Sequence, residues 1–205
     1  MPRIRGVLLD ADGVVQKAPD DWIQRVAALA PEEEHAERFL TELFAAEKPC
    51  MLGKERFQDA LARLLHEWGS GVSVDSALGL WTLVEPDDDI LALVGGLRAS
   101  GFEVALVTNQ QAHRAAFMSQ SLGYAEHFDK LFFSCDLGAA KPSQAYFSSV
   151  VRSLDASVDQ LLFIDDSETN TSAAAAFGMA AERFHLSEGA GRFARILANH
   201  GVVAA

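Results

Sequence analysis

Five short apolar runs separated by helix-patterned segments constrain this chain more than any other feature. The runs lie at about residues 4–9, 103–108, 131–134, 161–164 and 179–184. They are partly β-branched and do not alternate cleanly with polar residues, the pattern of strands buried on both faces of a parallel sheet. Between them, residues 89–100, 111–122, 143–154, 169–177 and 190–200 carry helical patterns. Gly101, Gly123, Gly178 and Gly201 follow four of these segments as stop signals. Strand alternating with helix predicts an α/β fold, with a Rossmann-like three-layer core around a parallel sheet.

One stretch breaks the alternation. Residues 16–85 show no good strand, only helical pattern at 21–30, 35–46, 54–68 and, more briefly, 77–84. Pro31, Pro49 and the Gly69-Ser70-Gly71 loop punctuate it. The expected organisation is a core of residues 1–15 and 86–205, with residues 16–85 inserted after the first strand as a helical-bundle cap.

In an open parallel sheet, ligands collect at the carboxyl ends of the strands. The first run ends in Asp10-Ala11-Asp12-Gly13. Two carboxylates placed there lose hydration and repel each other. Either a cation balances them or the segment is an ordinary Asp-x-Asp-Gly turn. The second run ends in Thr108-Asn109, the third leads to Lys141-Pro142, and the fourth ends in Asp165-Asp166 with Asn170 on the next helical turn. The fifth ends in nothing obviously chemical. Each group alone reads as a cap or turn; all four together are hard to obtain by chance.

As a set and in this order, Asp10-Ala11-Asp12-Gly13-Val14-Val15, Val107-Thr108-Asn109, Lys141-Pro142 and Phe163-Ile164-Asp165-Asp166-Ser167 with Asn170 and Gly178-Met179 resemble the motifs of the haloacid dehalogenase superfamily. The insert after the first motif resembles the helical (C1) cap subgroup. The Asp165-Asp166…Asn170 form resembles the branch containing many small sugar-phosphate phosphatases. Ser143-Gln144 departs from the pair that relatives often carry after Lys-Pro, which alters helix entry and leaves the lysine in place.

This resemblance implies phosphoryl transfer through an aspartyl-phosphate. Asp10 would be the nucleophile, which an ionised carboxylate can be without a base to activate it. Asp12 would protonate the leaving alcohol and then accept a proton from water. Mg²⁺ would be held by the side chains of Asp10 and Asp166 and the backbone carbonyl of Asp12, with Asp165 and Asn170 supporting from outside. Thr108 and the Asn109 amide would hold phosphate oxygens, while Lys141 offsets charge on the phosphoryl group and on Asp10.

The implied activity is a Mg²⁺-dependent phosphatase acting on a small phosphorylated metabolite such as a sugar phosphate. Superfamily members that remove halogen lack an acid at the position of Asp12, because a halide leaves without a proton. The alternative is a phosphomutase of the β-phosphoglucomutase type, which would isomerise a sugar phosphate instead of releasing phosphate. A dehalogenase would release halide. A non-catalytic binding module would be marked by loss of Asp10 or Asp166, and both are present.

Several residues have competing readings. His113 and Arg114 are expected on a solvated helix face, although they sit one turn from a strand end. Trp22, Trp68 and Trp81 are expected in packing. Glu47, Lys48, Lys54, Glu55 and Arg56 fall where a cap would lie over the site, or on an exposed charged loop. Asp87-Asp88-Asp89 reads as a helix N-terminus, where acidic charge suits the dipole.

The formal net charge of -12 argues against nucleic acid as a partner, since phosphate backbones are bound by basic surface. It leaves room for a small phosphorylated ligand held by a metal and local cations. Cys50 and Cys135 have no metal-type spacing and read as small packing residues. Asp10 and Asp12 interrupt the first apolar run, so it does not serve as a signal peptide, and no run approaches membrane-spanning length. The expectation is a cytoplasmic protein, monomeric or homodimeric, with no membrane partner.

Overall fold

The missing alternation in the strand sequences has a simple cause: both faces of the sheet are covered. The computed structural model describes residues 3–203. Its strands are β1 (Gly6–Leu9), β2 (Gln16–Lys17), β3 (Glu85–Pro86), β4 (Glu103–Thr108), β5 (Lys130–Phe133), β6 (Leu161–Asp165) and β7 (Ala180–Arg183). Five of them form a sheet in the order β5-β4-β1-β6-β7, parallel throughout. Val7 and Leu9 of β1 join one apolar layer with Val104, Leu106, Leu162 and Ile164. Leu8 joins the opposite layer with Ala105, Val107 and Phe163. A strand with two apolar neighbourhoods has no polar face to display.

The helices are α1 (Trp22–Ala27), α2 (Ala36–Cys50), α3 (Phe57–Glu67), α4 (Val74–Gly79), α5 (Asp88–Ala99), α6 (Ala112–Gln120), α7 (Tyr124–His127), α8 (Ser134–Leu137), α9 (Gln144–Arg152), α10 (Glu168–Phe177) and α11 (Ala190–Asn199). Ile90, Val94 and Leu97 of α5 and Phe193, Ile196 and Leu197 of α11 cover the first face. Tyr146, Phe147 and Val150 of α9 and Ala174 of α10 cover the second. Asp87 caps α5 by accepting from the Ile90 amide at 3.0 Å, with Asp88 and Asp89 in the first turn, as the triple-acid sequence predicts. Ser143 caps α9 by accepting from the Tyr146 amide at 3.3 Å, so the departure after Lys141-Pro142 supplies its own helix start.

Helices α1–α4 pack around a separate apolar cluster that includes Val26, Phe39, Leu43, Leu61, Leu65 and Trp81. Two features depart from the sequence expectation for this lobe. First, α2 runs on to Cys50, with Pro49 inside its last turn. Glu47 is bonded to Trp81 and Cys50 is buried, so tertiary packing carries the helix through a residue that favours stopping. Second, residues 16–85 are not strand-free at their ends. Gln16–Lys17 and Glu85–Pro86 pair antiparallel and tie together the chain segments that enter and leave the lobe. Two-residue strands are too short to leave a periodic signal. Among the described residues, no helix is long and apolar enough to cross a membrane.

Candidate active site

The site begins where β1 stops. The Asp10 amide donates to the Ile164 carbonyl at 3.0 Å, so the ladder to β6 carries the backbone one residue past the strand. The chain then turns: the amides of Val14, Val15 and Gln16 converge on the Ala11 carbonyl. Gly13 makes this possible, with φ at 74°. A Cβ there would also lie 2.7 Å from Oδ2 of Asp166, so glycine lets the two acidic strand ends approach.

Lys141 is the charge centre. Its Nζ lies 2.8 Å from Asp10 Oδ1 and 2.6 Å from Asp165 Oδ2, and its side chain is 1% exposed. Burial alone would push the ammonium down, but Asp10 and Asp165 outweigh it and hold Lys141 above its ordinary value. Asn109 fixes the backbone beneath: its Nδ2 donates to the Lys141 carbonyl at 2.9 Å, and its Oδ1 accepts from the Lys141 amide at 2.8 Å. The Asn109 side chain therefore positions Lys141.

The three acids differ in how fully they are satisfied. Asp165 is completely buried, and both its oxygens accept from Asn170 Nδ2, at 3.0 and 3.1 Å. Its Oδ1 also takes the Ser167 amide at 2.9 Å. Asp10 is buried and receives the Ala11 amide as well as Lys141. Burial pushes its carboxyl up, with Lys141 pulling the other way and Asp165 adding to the rise. Asp166 receives no side-chain donor among the described residues, and burial followed by the Asp165 charge raises it. Ligand oxygens of Asp10, Asp165 and Asp166 lie within 4.8 Å of one another. An all-oxygen, electron-rich set with one under-satisfied carboxylate fits a hard divalent cation. Because Asp165 is already filled by donors, Asp10 and Asp166 are the side chains free to hold one.

Thr108 ends β4, two residues beyond Leu106, which pairs with Leu9. It is buried. Beside the cluster opens a cavity of about 480 Å³, lined by Asp12, Gly13, Lys17, Asp166, His185 and Ser187 among others.

Asp12 has partners that the sequence did not point to. Its Oδ1 accepts from Gln16 Nε2 at 2.9 Å and from Arg114 NH2 at 2.6 Å, and its Oδ2 accepts from Gln110 Nε2 at 2.7 Å. Tyr124 extends the chain by donating to Gln16 Oε1 at 2.9 Å. Arg114 is thus not on a solvated face: its side chain is 11% exposed and paired with Asp12. Gln110 precedes the extended Gln111 cap of α6 and Gln16 follows a turn, so no helical period links these partners in the sequence. The fifth strand also contributes, since the loop after β7 places His185 on the cavity wall. In the helical lobe, Glu47 is buried and accepts from Trp81 Nε1 at 2.8 Å, so Trp81 is a packing residue, as expected.

Against known proteins, the model of the haloacid dehalogenase-like hydrolases matches residues 4–178. A GMP/IMP nucleotidase of Escherichia coli K12 is 29% identical over 182 residues, covering 84% of this chain and 79% of the relative. A HAD-like family hydrolase of Porphyromonas gingivalis superposes with a TM-score of 0.81 at 19% identity, covering 96% of this chain and 98% of the other. A HAD family enzyme of Bacteroides thetaiotaomicron, in complex with magnesium and inorganic phosphate, superposes with a TM-score of 0.75 at 20% identity, covering 88% and 93%. These superpositions share the fold: a parallel sheet flanked by helices.

Proposed function

The chain belongs to the haloacid dehalogenase-like hydrolase family, and from that membership we propose that it is a Mg²⁺-dependent phosphatase of small phosphorylated metabolites. The observation that carries this reading is Asp12, an acid two residues beyond Asp10 and held at the cavity by Gln16, Gln110 and Arg114. A halide leaves without a proton, whereas an alkoxide needs one. The GMP/IMP nucleotidase relative and the structural neighbour complexed with magnesium and inorganic phosphate support phosphate ester chemistry.

Asp10 attacks phosphorus with its free oxygen, while Lys141 holds the other oxygen and steers the carboxylate. As the Asp10–phosphorus bond forms and the ester bond breaks, Asp12 gives its proton to the leaving oxygen. In the second half, Asp12 takes a proton from water, the water oxygen bonds to phosphorus, and Asp10 is released. Thr108 and the Asn109 amide steady the phosphoryl oxygens, and Lys141 balances their charge. Mg²⁺, held by Asp10, Asp166 and the Asp12 carbonyl, would supply further charge neutralisation. Asp165 and Asn170 keep Lys141 and the Asp166 loop in place. Residues 16–85 act as a cap that keeps bulk water from the phosphoenzyme.

The test is phosphate release from an aryl phosphate with Mg²⁺ and with a chelator, in the wild-type chain and in Asp10→Asn. The reading expects Mg²⁺-dependent release and its abolition in the variant. Substantial turnover by Asp10→Asn would end the nucleophile assignment.

A further inference from the structure

Two features of the Asp12 environment bear on which of its oxygens can carry a proton. Oδ1 already receives two N–H groups, from Gln16 and Arg114, so both of its lone pairs are engaged. Oδ2 receives one, from Gln110, and has a lone pair to spare. A proton placed on Oδ1 would displace a donor, including a charge-assisted one, whereas a proton on Oδ2 displaces none.

Arg114 is built into this position. It is 9% exposed and follows the Gln111 cap of α6, whose side chain accepts from the Arg114 amide at 3.2 Å. The contact spans 102 residues of sequence, from the helix after β4 to the turn after β1. A surface ion pair is worth little and tolerates many geometries. A buried arginine is costly to desolvate and holds one geometry. Among the described residues its Nε is buried with no partner, while its NH2 bonds to Asp12. Burial pushes the Glu47 carboxyl of α2 up, with the Trp81 hydrogen bond and the Arg114 charge pulling the other way.

We propose that Arg114 is a positioning residue that occupies Asp12 Oδ1, with Gln16, and thereby makes Oδ2 the oxygen that exchanges protons. This rests on the phosphatase reading. In the first half-reaction the Oδ2 proton passes to the leaving oxygen as the ester bond breaks and the bond to Asp10 forms. In the second, a water proton passes to Oδ2 as the water oxygen bonds to phosphorus and the Asp10–phosphorus bond breaks. Without Arg114, Asp12 can rotate, and either oxygen can face the wrong way.

The experiment compares two esters in single-turnover and steady-state kinetics with Mg²⁺: 4-nitrophenyl phosphate, whose alcohol leaves without help, and a simple alkyl phosphate, whose alcohol needs the proton. Arg114→Met is expected to slow alkyl ester turnover by about tenfold or more, within the range that general acid catalysis supplies. The first release of nitrophenol should change by less than about threefold, followed by slower steady-state turnover as the phosphoenzyme accumulates. In an Asp12→Asn background, Arg114→Met should add little, because its route of action is gone. Arg114→Lys keeps the charge and should show the same selectivity at reduced size; it carries the test if circular dichroism shows Arg114→Met to be unfolded. Equal losses on both esters, or full additivity with Asp12→Asn, overturn the assignment while leaving the phosphatase reading intact. A folded wild-type chain that releases phosphate from neither ester overturns both.

Discussion

Glu47 offers a stability experiment whose size can be worked out in advance. It sits in α2 at 9% exposure, with one oxygen bonded to Trp81 Nε1 at 2.8 Å. Burial pushes its carboxyl from 4.5 up to about 7, against smaller pulls from Trp81 and Arg114. The folded chain thus keeps a proton that the unfolded chain has lost between those two values. The associated stability is fully present below 4.5 and is lost as pH rises through about 7. A gap of roughly 2.5 units corresponds to about 3 kcal/mol, most of it falling between about pH 5 and 8. Glu47→Gln preserves an acceptor for Trp81 and removes the titration. The variant should therefore gain stability relative to wild type by about 2 to 3 kcal/mol as pH is raised across that window. Asp10 and the other titrating acids are common to both proteins and drop out of the comparison. Urea unfolding followed by tryptophan fluorescence at half-unit pH intervals measures the difference directly. A difference that stays flat across the window would refute the claim that Glu47 is forced to choose between burial and charge.

Two further outcomes follow from the site. Lys141→Met leaves Asp10 and Asp165 buried without their cation, so unfolding free energy at neutral pH should fall by about 3 kcal/mol or more; denaturant titration in the absence of metal checks this, and a loss below about 1 kcal/mol would show that Asn170 and the backbone amides suffice. Gly13→Ala forces a side chain into φ 74° and within 2.7 Å of Asp166 Oδ2; calorimetric titration should show weakened Mg²⁺ binding, and an unchanged affinity would mean that the Asp166 carboxylate can swing clear without consequence.

The order of strands and helices was legible in the chain because it depends on local pattern. The apolar run at residues 103–108 coincides with β4, and the other four core strands differ from their apolar runs by one or two positions. Apolar runs without alternation can satisfy themselves only where both faces are covered, so the sequence already implied a doubly covered parallel sheet. The same logic draws attention to Asp10, Asp12, Thr108, Asp165 and Asp166 at or just past strand ends, whereas Lys141 follows β5 only after a further helix, α8. Glycine at position 13 was also visible, though its reason was half hidden: a turn was foreseeable, the approach of Asp166 was not.

What the sequence could not decide is which side chains meet across long separations. Arg114 one turn into a helix reads as solvated until the turn after β1 is packed against it. Gln16 and Glu85 lie too near short strand ends to show a period, yet their segments pair and close the base of the helical lobe. The sequence around Glu47 fits either a cap over the site or an exposed charged loop, and the side chain is buried against Trp81. Local sequence fixes dihedral preferences and the face a residue shares with its neighbours. Burial and charge balance are set by groups 24 to 102 residues away, and only the tertiary structure brings those groups within hydrogen-bond reach.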